Sequence, residues 1–76
     1  MNVRETLIEI LEDIVPDLEP EGSTALVSGG ELKSFDVLQL VSEINSEFDI
    51  QIPLEDIVPA NFDSLEAMTA LVEKQL

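Results

Sequence analysis

The 76-residue chain sets 17 Asp and Glu against 3 Lys and Arg, a formal charge of −14 that repels nucleic-acid backbones and anionic membranes but attracts basic protein surfaces. Apolar residues make up 45%, too many for a disordered chain, and the absence of cysteine excludes disulfides and thiolate metal sites. A chain this short buries only about 60% of its unfolded surface, so residues 1–76 are expected to form one acidic domain of modest stability with little room for a cleft.

Segment 2–15, NVRETLIEILEDIV, places Val3, Leu7, Ile10, Leu11 and Ile14 at helical spacing, with Ile8 widening the stripe. Asn2 and Glu5 stand at capping-box spacing and Pro16 closes the segment, which predicts a first helix. Its acids interrupt the apolar core that a signal peptide needs. No apolar stretch approaches the roughly 20 residues that span a bilayer, so a cytoplasmic protein is expected.

Residues 16–33, PDLEPEGSTALVSGGELK, combine two prolines, three glycines and scattered acids and read as a long loop. A loop of this length in so small a domain is often functional, and Leu18, Leu26, Val27 and Leu32 are placed to pin it to a core. From Ser34 onward, Val37, Leu40, Val41, Ile44 and Phe48 form a second apolar stripe, broadened by Phe35 and Leu38 and ending near Asp49. DIQIP alternates too briefly for a strand, and no second strand is available to pair with it. LEDIV, between Pro53 and Pro59, can hold one or two helical turns. In NFDSLEAMTALVEKQL, Asp63 and Glu66 stand at capping-box spacing before Leu65, Met68, Leu71 and Val72 on one face. The expected fold is all-α: a small four-helix bundle with a short third helix and a long first loop.

Enzymatic chemistry has few residues to draw on. The chain has no His, no Cys and no Ser-x-x-Lys, so the usual bases for activating a serine are missing. Lys33 adjoins Ser34, and sequence neighbours do not face each other on a helix. Carboxylates are abundant, but none is marked as buried, and the alternating Asp/Asn-then-Gly spacing of an EF-hand is absent, so no metal site is expected. Ser34, before an amphipathic run, has the position of a helix cap. By its residues alone it is a cap or a point of attachment.

A helix, a long loop ending LVSGGELKSFD, a second helix VLQLVSEINSEF, then DIQIPLEDI and NFDSLEAMTALVEKQL resemble, over essentially the whole chain, the acyl carrier protein family. That resemblance implies a non-catalytic carrier. In the family a serine opening the second helix carries 4′-phosphopantetheine through a phosphodiester, and the arm's thiol holds acyl groups as thioesters. The family's motif around that serine reads Asp-Ser-Leu, or Asp-Ser-Phe-Asp in some free-standing members; Ser34, Phe35 and Asp36 match the latter, while Lys33 stands where the family has aspartate. A literal Asp-Ser-Leu occurs at 63–65, but too little chain follows it for the remaining helices, so Ser64 matches the hydroxyl residue that opens the last helix and is expected to cap it. Ser34 is therefore the attachment candidate.

A phosphodiester there would sit at the positive end of a helix, with Lys33 as a phosphate contact. The family's docking region implies that Asp36, Glu43, Glu47, Glu55 and Asp56 meet basic patches of partners: a phosphopantetheinyl transferase and the ligases, synthases or transferases that load and unload the arm. A monomer is expected. The cargo is open between fatty acyl, polyketide and an amino acid such as D-alanine, the last because the Ser-Phe-Asp site resembles D-alanyl carriers. The alternative from another class is an unmodified acidic interaction domain that keeps the carrier fold, with Lys33 as the feature in its favour.

Overall fold

The computed structural model describes residues 2–22 and 24–76 and contains, in chain order, α1 (Val3–Ile14), α2 (Ser34–Phe48), a 3₁₀ turn (Leu54–Asp56), α3 (Pro59–Phe62) and α4 (Leu65–Gln75). Helix α1 packs on α2 and α4, and α3 leans on α4. No strand occurs among the described residues.

The helices begin and end for local reasons. Asn2 Oδ1 accepts the Glu5 amide at 3.1 Å and so satisfies one of the free donors of the first turn of α1. At the other end of α2, Asp49 adopts a left-handed conformation (φ 54°) and its amide donates to the Asn45 carbonyl. Asn45 Oδ1 then accepts the Ile52 amide at 3.0 Å, which turns the chain inward and helps bury Ile52.

The stripes read from the sequence form the core. Leu7, Ile10 and Leu11 of α1 meet Val37, Leu40, Val41, Ile44 and Phe48 of α2 and Leu65, Met68, Leu71 and Val72 of α4, with Phe62 fully buried among them. Leu18, Leu26 and Leu32 pin the long loop into this core, and Val27 packs against it half-buried.

Two expectations change. The LEDIV stretch holds one helical turn, the 3₁₀ turn, and goes no further because Ile57 and Val58 leave helical geometry ahead of Pro59 (ψ 76° and 152°). The short third helix starts at Pro59 instead, where a missing amide proton costs nothing and the fixed φ suits the first turn. Glu55 and Asp56 therefore lie on the 3₁₀ turn. Phe35 and Leu38 do not broaden the core stripe: they are 73% and 62% exposed. Counting 100° per residue places them about 160° and 100° around the helix from Val37.

Candidate functional site

Ser34 is the first residue of α2, exposed to solvent, and it is not the cap. The cap position belongs to Lys33, extended at φ −96° and ψ 169°, whose side chain caps nothing. The Asp36 carboxylate accepts the Lys33 amide at 3.1 Å and braces the helix start from inside. Lys33 Nζ folds back to donate to the Gly30 carbonyl at 3.3 Å. Among the described residues the Ser34 hydroxyl makes no hydrogen bond, and no side-chain acceptor reaches the first-turn amides beside it. The start of this 15-residue helix thus lacks a side-chain cap next to that hydroxyl, with the Asp36 carboxylate as the one acid of its first turn.

The serine opens onto an apolar groove of about 240 Å³ lined by Val27, Ser34, Val37, Leu38, Ile57, Val58 and Pro59. One wall comes from the long loop, one from α2, and one from the segment leading into α3. Leu38 and Val58, which line the groove with Ser34, are exposed at its rim, and Phe35 and Leu54 are further exposed apolar side chains of α2 and the 3₁₀ turn.

The loop wall is held by Asp63. Its Oδ1 accepts the amides of Val27 and Ser28 at 2.9 and 2.8 Å, and its Oδ2 accepts the Ser28 hydroxyl at 2.7 Å. The Ser28 hydroxyl and then the Ser28 amide, with a smaller contribution from the Val27 amide, hold the Asp63 carboxyl below the usual carboxylate range. Asp63, despite its capping-box spacing to Glu66, is not the cap of α4. Ser64 takes that position, its Oγ accepting the Ala67 amide at 3.0 Å.

The acids assigned to docking do not form one face with Ser34. Glu43 and Glu47 join Glu9 and Asp13 along a cleft between α1 and α2. Asp56 is half-buried and pairs with Lys74 at 3.3 Å, while Glu55 is exposed on the 3₁₀ turn. Asp36 is half-buried in its bond to the Lys33 amide. Sequence reasoning missed the exposure of Phe35 and Leu38 and the role of Asp63. The angular offset of Phe35 and Leu38 from the α2 stripe signals their exposure, whereas the partners of Asp63 lie 35 and 36 residues away and leave no local pattern.

Among the described residues no group of three or more potential ligands is placed to hold a metal, and no helix is long and apolar enough to cross a membrane. No family model matches the chain, and no solved structure matches it. Similar proteins include aminoacyl carrier protein 1 of Bradyrhizobium diazoefficiens, 33% identical over 81 aligned positions that cover 99% of this chain and 87% of that protein. Aminoacyl carrier protein 2 of the same organism is 29% identical over 82 positions, covering 100% of this chain and 89% of that protein.

Proposed function

The chain belongs to the acyl and aminoacyl carrier protein family, and from that premise we propose that it carries an aminoacyl group on a 4′-phosphopantetheine arm attached to Ser34. The observation that carries this reading is the state of the Ser34 hydroxyl: exposed, free of hydrogen bonds among the described residues, and seated on an uncapped helix start beside an apolar groove. The competing hydroxyl at Ser64 is already engaged as a cap.

The residues present suit a phosphodiester at Ser34. The unengaged first-turn amides and the helix dipole favour an anion there. Lys33, one of 3 basic residues in a chain of net charge −14, adds positive potential at the attachment point. The Asp36 carboxylate, held on the Lys33 amide at the same helix start, offsets part of that potential. When bound, the arm would supply a terminal thiol that holds cargo as a thioester. The chain itself has no His or Cys to act on that bond, so it presents cargo and leaves the chemistry to partners.

The partners we infer are a phosphopantetheinyl transferase and a loading ligase or acceptor enzyme with basic surfaces. The net charge steers their approach, with Glu43, Glu47, Glu55, Asp56 and Asp36 contributing, and the exposed apolar side chains of Phe35, Leu38 and Leu54 supply short-range contact. The names of the relatives favour an amino acid as cargo. The apolar groove favours a second reading, a fatty acyl group. Neutral hydroxylamine, which cleaves thioesters, would release an aminoacyl or a fatty hydroxamate from the loaded chain and identify the class.

The attachment site is tested by intact mass after incubation with coenzyme A, Mg²⁺ and a broad-specificity transferase. Wild type and Ser64→Ala gain one phosphopantetheine and Ser34→Ala gains none. Modification that persists on Ser34→Ala sinks the assignment.

A further inference from the structure

We propose that Asp63 is a positioning residue for the attachment site, fixing the width of the groove into which Ser34 opens. The inference rests on the reading of Ser34 as the bearer of an arm. Its basis is that one residue ties two of the three groove walls together. The Asp63 carboxylate takes the amides of Val27 and Ser28 and the hydroxyl of Ser28, and its main-chain carbonyl takes the Leu26 amide at 2.9 Å. Val27 is the loop wall. The opposite wall, Ile57, Val58 and Pro59, runs directly into the single turn of α3 that ends at Asp63.

Val27 itself packs half-buried against the core. Leu26 and Leu32 are buried on either side, and the segment between them closes on itself, with the Leu32 amide on the Leu26 carbonyl at 2.7 Å and the Gly30 amide on the Val27 carbonyl at 3.1 Å. Those bonds shape the turn without aiming it. The carboxylate aims it, through charge-assisted bonds that are shorter and roughly twice as strong as neutral ones. Because Lys33 Nζ rests on Gly30 of the same turn, the aim of the turn also sets where that ammonium stands relative to Ser34.

The test compares wild type, Asp63→Ala, Asp63→Asn and Val72→Ala, the last a fully buried α4 position outside the groove that lowers stability without touching its walls. All are studied below their melting temperatures, and amide exchange is measured first, in the unloaded chains. In Asp63→Ala the amides of Val27 and Ser28 exchange at least about tenfold faster, while Asp63→Asn, which keeps one acceptor oxygen, shows a smaller rise. After transfer of phosphopantetheine, the amide chemical-shift differences between loaded and unloaded chain at Val27 and Val58 fall by about half or more in Asp63→Ala, and the initial loading rate falls about tenfold, as expected for a misplaced reacting group. Val72→Ala keeps both. Asp63→Ala behaving like Val72→Ala in exchange and shifts overturns the proposal. Failure of wild type to accept the arm overturns the carrier reading instead, and the exchange rates still decide whether Asp63 aims the loop.

Discussion

Replacing Leu32 with alanine removes the apolar anchor immediately before Lys33 and Ser34. The side chain is 1% exposed within the core cluster, and its amide donates to the Leu26 carbonyl at 2.7 Å. Truncating a buried leucine costs about 2–5 kcal/mol, the lost transfer energy plus the residual cavity. A chain of 76 residues at about 0.05–0.15 kcal/mol per residue has a total stability of about 4–11 kcal/mol, so a cost of ~3 kcal/mol removes a large share of it. At about 4–8 °C per kcal/mol for a domain of this size, Leu32→Ala lowers the melting temperature by about 12–24 °C. Leu32→Met nearly conserves volume and costs under about 1.5 kcal/mol. Thermal unfolding followed by helical circular dichroism reads both. A fall below about 4 °C for Leu32→Ala would show that the loop is not anchored in the core, and with it the account of how the loop reaches Ser34 would fail.

Asp49 holds a left-handed conformation at the carboxyl end of α2, where its charge also opposes the helix dipole, so Asp49→Gly raises stability by about 1 kcal/mol and the melting temperature by a few degrees. The folded-state pKa of Asp63 is depressed, so its contribution is present above the unfolded value near 4 and lost as pH falls through the lower folded value. The melting-temperature advantage of wild type over Asp63→Asn is therefore constant from about pH 7 to 5 and shrinks below about pH 4; an advantage unchanged into strong acid contradicts this. With 17 carboxylates against 3 basic groups, and screening over about 10 Å at 0.1 M salt, added NaCl raises the melting temperature of wild type, and a flat response would mean that the acids do not interact.

The elements most legible in the sequence are those written at helical spacing. The α1, α2 and α4 stripes reappear as the buried faces, and Asn2 and Ser64 cap as their types suggest. The short helix was displaced because the chain leaves helical geometry ahead of Pro59, and Pro59 at a first-turn position was the available signal for where it begins. Phe35 and Leu38 show the limit of treating every apolar neighbour as core, since their angle on α2 turns them to solvent. Resemblance, not spacing, separates Ser34 from an ordinary cap; the structure adds that Lys33 holds the cap position. Asp63 was illegible because a side chain that bonds a loop 35 and 36 residues away has a local sequence that reads only as a helix start.

The central claim, that the chain works as a carrier loaded through Ser34, is tested most directly on protein isolated from cells that naturally make it. Intact mass and fragmentation of the Ser34-containing peptide should reveal a covalent phosphopantetheine that is ejected from that peptide on fragmentation, bearing in part of the population a hydroxylamine-labile aminoacyl thioester. A chain that leaves those cells unmodified, or modified at Ser64 instead, would contradict the account.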